Sequence, residues 1–160
     1  LMVMALLTPM TCLQSLPRGA FASNLYIMSN ARKCTVFTFT LPDQPGQLLS
    51  LTNRLRAADI ALRSFWATSN RNKTSTLRCI AERDPQFRDF ANSAELGISE
   101  EQAIYVLSAE NSGGFLRVLE KLAGADINIG DIHAVSLDDE QGWVVWTDES
   151  QLDALITLIG

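Results

Sequence analysis

The stretch Pro42-Asp43-Gln44-Pro45-Gly46-Gln47-Leu48 ends one pattern and begins another. Before it, Thr35, Phe37, Phe39 and Leu41 alternate with Val36, Thr38 and Thr40, the period of two that gives a strand one strongly apolar face. After it, Leu48, Leu51, Leu55 and Ala58 recur at helical spacing, so an amphipathic helix of about three turns follows the glycine and covers a sheet. Residues 60–68 and 74–81 then form two extended runs around the polar turn Ser69-Asn70-Arg71-Asn72-Lys73, which predicts a hairpin. Asp84-Pro85 opens a second helix, with Asp84 expected as its cap and Phe87 and Phe90 facing the core, and Leu96-Gly97-Ile98 is a candidate last strand. The order is βαββαβ.

The same order recurs at an offset of about 67 residues. Residues 104–109 match 36–41, Asn111-Ser112-Gly113-Gly114 stands in the place of Asp43-Gln44-Pro45-Gly46, and Leu116, Leu119 and Leu122 follow as Leu48, Leu51 and Leu55 did. Gly124-Ala125-Asp126-Ile127 mirrors Ala57-Ala58-Asp59-Ile60. A hairpin of residues 127–137 and 143–147 follows, then a helix capped by Asp148 and carrying Leu152, Leu155 and Ile156. The chain is thus α+β: two ferredoxin-like βαββαβ units over residues 32–100 and 101–160, with antiparallel sheets and helices on one face. The second copy runs out at Gly160, where the first continues into its last strand, so that strand is short or missing. An edge of this kind is often completed by another subunit, and a homodimer or larger assembly is expected.

Composition bounds the function. Among 160 residues, 47% are hydrophobic and 19% charged, as in a globular protein, and a net charge of -5 offers no general attraction for nucleic acid. Cys12, Cys34 and Cys79 are too few and too scattered for a disulfide framework, and Cys34 and Cys79 read as reduced strand residues of a cytoplasmic protein. The single histidine, His133, lies in a strand without a thiol, serine or second histidine at useful spacing, so neither a metal site nor a catalytic base is expected. Residues 1–31 differ from the rest. An apolar opening broken by Pro9 and Pro17 lacks the Lys or Arg of a secretory signal and is too short to span a membrane. A translation start at Met28 with a poorly ordered extension before it is the favoured reading.

The strand, Asp43-Gln44-Pro45-Gly46-Gln47-Leu48, the helix and Ala58-Asp59-Ile60 resemble the ACT domain, the regulatory βαββαβ module of amino-acid metabolism. Glu110-Asn111-Ser112-Gly113-Gly114-Phe115-Leu116 with Gly124-Ala125-Asp126-Ile127-Asn128-Ile129 resembles it at least as well. Together the copies are similar to stand-alone tandem ACT proteins, with no catalytic domain attached. The resemblance implies a free amino acid or similar metabolite bound between the glycine turn and the start of the next strand, at an interface between modules. It places candidate ligand-binding residues at Asp43, Gln44, Gly46, Gln47 and Leu48 in the first copy, and at Asn111, Ser112, Gly113, Gly114, Phe115 and Asn128 in the second. Ala61 stands where Asn128 does, which makes the second copy the better candidate.

The turn also has a logic of its own. A glycine lets backbone turn sharply and lets a ligand approach the main chain closely. The helix N-terminus beyond it suits a carboxylate, and Asp43 or Asn111 can accept a hydrogen bond from an ammonium group. A ligand of roughly ten heavy atoms at roughly 0.5 to 0.8 kcal/mol each binds with a Kd between about millimolar and micromolar, as suits a sensor. Each glycine serves equally well as a simple helix-start device.

The leading expectation is therefore a non-enzymatic, cofactor-free regulator, acting through ligand-dependent assembly on a metabolic enzyme or regulator. The alternative is a ligand-free interaction or transcriptional-regulator subunit on the same fold. An RNA-binding sheet of this topology needs exposed aromatics flanked by basic residues on central strands, and 74–81 offers only Arg78. Trp143 and Trp146, three apart in a strand, point to opposite faces, and the outward one with Trp66 is expected at a module or subunit interface.

Overall fold

The computed structural model describes residues 30–108, 113–137 and 140–159. The extension before residue 30 and the turn at 109–112 lie outside them. The elements are β1 (Asn30–Pro42), α1 (Gln47–Ala57), β2 (Leu62–Ser69), β3 (Thr74–Ala81), α2 (Asp84–Ser93), β4 (Ser99–Ser108), α3 (Gly113–Gly124), β5 (Asp131–Leu137), β6 (Glu140–Trp146) and α4 (Leu152–Ile159). All six strands form one antiparallel sheet in the order β2-β3-β1-β4-β6-β5. The order β2-β3-β1-β4 is that of one ferredoxin-like unit, and β5-β6-β4-β1 repeats it from the other end, so the two units share their central strands.

Sharing changes the expected strand plan. Residues 96–98 are not a strand; β4 begins at Ser99 and runs through position 100 to the residues read as the first strand of the second copy. Strand β1 starts at Asn30, and its first half pairs with β4 from Asn30↔Leu107 to Cys34↔Ala103. That half occupies the place of the missing last strand of the second unit. The edge expected to need another subunit is filled from within the chain, because β1 is longer than the repeat requires.

Strand parity decides which side is covered. Phe37 and Phe39 of β1 pack with Leu77 and Cys79 of β3, Leu51 and Leu55 of α1, and Phe87 and Ala91 of α2. Ala31, on the same side of β1, packs against the second cluster: Ile104 and Val106 of β4, Trp143 and Val145 of β6, Val118 and Leu122 of α3, and Leu152, Leu155 and Ile159 of α4. All four helices therefore lie on one face.

The other face carries Cys34, Val36, Trp66, Ile80, Ala103, Tyr105, Val144 and Trp146, with Val36 and Ala103 wholly buried. No helix packs over their centre, and only the first turns of α2 reach their edge at Cys34, Ile80 and Tyr105. The sheet instead curls until its two edge strands touch. Trp66 of β2 stacks on His133 of β5 at 4.8 Å between centroids, and Trp66 meets Trp146 edge-on at 5.9 Å. Arg78 of β3 pairs with Asp131 of β5 at 2.8 Å. Trp143 and Trp146 do face opposite sides, and Trp146 with Trp66 joins the two units of one chain.

Two caps differ from expectation. The cap residue of α2 is Arg83, with no side-chain capping bond, and Asp84 lies one position inside, where its charge faces the positive end of the helix dipole. Asp148 likewise makes no side-chain cap and leads into a short 3-10 turn, Glu149–Gln151, before α4.

Candidate ligand-binding site

The first glycine turn is built by two hairpin serines. The backbone N–H of Asp43 donates to the Lys73 carbonyl at 2.9 Å, which ties the end of β1 to the tip of the β2–β3 hairpin. The Asp43 carboxylate then accepts from the hydroxyls of Ser69 and Ser75, the latter at 3.0 Å. Those two bonds favour the ionised form and hold the Asp43 carboxyl below the usual aspartate range. Asp43 is thus a fixed, solvent-facing carboxylate. Two hydroxyls use only part of its capacity, since an ionised carboxylate offers about four acceptor positions.

Gly46 follows with φ +89°, in the left-handed region, and a Cβ there would meet nothing within 4 Å. Backbone conformation, and not space, requires the glycine. It stands at the N-cap of α1 without a side-chain cap, and the first turn of α1 holds no acidic residue, so nothing in the helix offsets its positive end. The Gly46 carbonyl accepts from the Ser50 N–H at 2.8 Å. Leu48 and Leu49 are 44% and 65% exposed, forming an apolar lip beside Gly46, Gln44 and Gln47. Beyond the lip a groove of about 480 Å³ runs along α1 past Ser50, Asn53 and Ala57.

In the second copy Asn111 and Ser112 lie outside the described residues. Gly113 is the first residue of α3 and Gly114 is buried. The half-buried Phe115 ring packs on Trp143 at 5.4 Å, so its position is set by the core. Asn128 does not start a strand. It is exposed, three residues before β5, and its carbonyl accepts from the Thr147 hydroxyl at 2.7 Å. Because β1 and β4 run antiparallel, their C-terminal ends, Pro42 and Ser108, sit at opposite ends of the sheet.

The sequence reading missed Ser69 and Ser75, the residues that fix Asp43. Both belong to a hairpin 26 and 32 residues away in sequence, and two serines flanking a polar turn carry no signal of what they will bond. It also missed a cavity of about 760 Å³ between β1, β3 and α2. Among the described residues, no group of three His, Cys, Asp or Glu side chains comes together. Cys34 donates a weak bond to the Ala103 carbonyl, and burial pushes its thiol up to about 11 and that of Cys79 up to about 12. No described helix is long and apolar enough to cross a membrane.

No family model and no curated protein matches the sequence. Among solved structures, protein BT0572 from Bacteroides thetaiotaomicron is similar over 81% of this chain and 88% of its own, with 17% identity and a TM-score of 0.69. The regulatory subunit of aspartate kinase from Thermus thermophilus, in its ligand-free form, is similar over 83% and 95%, with 12% identity and a TM-score of 0.59. The corresponding subunit from Thermus flavus covers 83% and 94% at 14% identity and a TM-score of 0.55. The chain has the tandem ACT fold. At these identities the likeness is one of architecture. The first glycine turn has the strand-turn-helix form expected from its sequence, and residues 109–112 of the second lie outside the described residues.

Proposed function

We propose that this protein is a cytoplasmic, non-catalytic regulator that binds a free amino acid or similar small metabolite and acts through its state of assembly. The observation that carries the reading is the first turn, where an uncapped helix N-terminus at Gly46 stands beside the fixed carboxylate of Asp43. The helix end suits the ligand carboxylate, and Asp43 retains acceptor capacity for its ammonium group. Gln44, Gln47 and Leu48 flank the ligand. Asn111, Ser112, Gly113 and Gly114 would play the same part in the second copy, with Phe115 shaping the turn from the core and Asn128 offering an exposed amide.

The first turn faces solvent on one chain, so closing it takes a second module from another copy or from a regulated enzyme or regulator. Solved structures of similar fold include regulatory subunits of aspartate kinase, which supports a regulatory role. Ligand acts only through different affinity for the free and assembled states.

The alternative, a ligand-free interaction or transcriptional-regulator subunit, is favoured by a different observation. Leu48, Leu49 and Leu116 are all strongly exposed in the first turns of α1 and α3, at matching places in the two copies. Thermal unfolding against each proteinogenic amino acid separates the readings. A ligand at about a hundred times its Kd stabilises by about 2.7 kcal/mol, a Tm rise of several degrees. That rise should vanish in Asp43→Asn or Gly46→Ala. No rise with any amino acid would sink the proposal in favour of the interaction subunit.

A further inference from the structure

The 760 Å³ cavity lies far from the first glycine turn, where the sheet splits. The β1–β3 ladder stops at Phe37↔Cys79, yet β3 runs on to Ala81 and β1 began at Asn30. The first half of β1 follows β4 instead, and the N-terminus of α2 lies across the gap that opens. Its floor is apolar, with Ile80, Tyr105 and the half-buried Cys34.

Its walls are charged, with Arg32 and Arg63 on the strands and both signs at the start of α2. Arg32 of β1 is held over the Tyr105 ring at 5.6 Å. Arg63 comes from β2 at a break in register between Leu62 and Ser64, a bulge that re-aims a side chain. Arg83 stands at the uncapped start of α2. Lys33 also lines the cavity but is paired with Asp153 at 2.7 Å. Among the described residues neither Arg63 nor Arg83 has an ion-pair partner. From the α2 side come Asp84 and Asp89, with Glu82 before them. Asp84 and Arg32 both lie near enough to the Cys34 thiol on the floor to act on it.

We infer that this cavity is a second binding site, independent of the glycine turns, for a zwitterionic small molecule with an apolar body, of about dipeptide size. The arginines take its carboxylate, Asp84 and Asp89 its ammonium, and Tyr105 and Ile80 its body. The volume falls within the range of about 300 to 1,000 Å³ that holds ligands larger than a single small amino acid. Unpaired guanidinium groups and carboxylates across an apolar floor are matched by a ligand carrying both charges.

The test uses the full chain and heteronuclear NMR, with glycyl-phenylalanine as the zwitterion, phenylpropionate as its anion-only counterpart and phenethylamine as the cation-only one. Glycyl-phenylalanine should shift amide signals at Thr35, Ile80, Gln86 and Tyr105, and the singly charged probes should bind at least about ten-fold more weakly. The exposed double substitution Arg63→Gln/Arg83→Gln should weaken the zwitterion by about ten-fold or more, and Asp84→Asn should erase its advantage over phenylpropionate. Equal binding of all three probes, shifts confined to the Asp43 turn, or no shift at roughly 10 mM would each overturn the inference. Asp43→Asn should leave this binding unchanged, so failure here and failure at the turn are told apart.

Discussion

Both faces of the sheet bury apolar side chains, but by different means. On the helix-covered face the rings are packed by helices of the same unit: Phe87 lies 4.6 Å from Phe37 and 6.1 Å from Phe90, with α1 and α2 closing over them. On the concave face no helix packs over the centre, and Val36, Ile80, Ala103 and Val144 are buried only because the edge strands curl towards each other. The contacts that hold the curl are a half-exposed tryptophan on a histidine and one ion pair with solvent access. The first face supplies stability, and the second sets how the two units sit against each other.

Substitutions can break this contrast. The largest effect is expected for Phe87→Ala, which empties a wholly buried ring site and should cost about 3 to 5 kcal/mol in urea unfolding. Trp66→Ala removes the histidine stack and the Trp146 contact but opens onto solvent, so about 2 kcal/mol is expected, with a larger change in small-angle scattering than Phe87→Ala gives per unit of stability lost. A loss from Trp66→Ala as large as that from Phe87→Ala would show that the concave face is a full core and not a closure.

Each face also carries one described thiol, Cys79 beneath the helices and Cys34 on the concave side. Both are raised by burial, to about 12 and about 11, above the ordinary value of 9.0. The folded state then holds its thiol protons more tightly than the unfolded state. Their stabilisation is present below about pH 9 and is lost as pH rises towards about 11 for Cys34 and about 12 for Cys79. Denaturant midpoints between pH 8 and 11 should fall accordingly, and a flat profile would contradict the burial of both. The smallest effect is expected for Asp131→Asn. The pair to Arg78 has side chains 33% and 53% exposed, so less than about 1 kcal/mol is expected, diminishing in salt.

Much of the fold is legible in local pattern. The alternation through Phe37, Phe39 and Leu41, the glycine turns and the leucine spacings each fix an element within a few residues, and their recurrence fixes two units. The turns at Gly46 and Gly113-Gly114 were found for the same reason, since a positive φ or a helix start leaves a residue-type trace. The serines on Asp43 and the split cavity left none. Arg32, Arg63 and Arg83 look like ordinary surface charges until a ladder that stops at Phe37 and a bulge at Arg63 place them around one space.

The chain's own text settles the strand and helix periods, the repeat and the side of each strand that must be dry, because these depend on neighbours a few residues apart. That β1 completes the second unit, that β4 serves both, and that Trp66 comes to rest on His133 were decided only when strands some seventy residues apart found their register. Pairing at that distance is chosen by which arrangement buries both faces and satisfies every ladder at once, a property of the whole sheet that no single strand encodes.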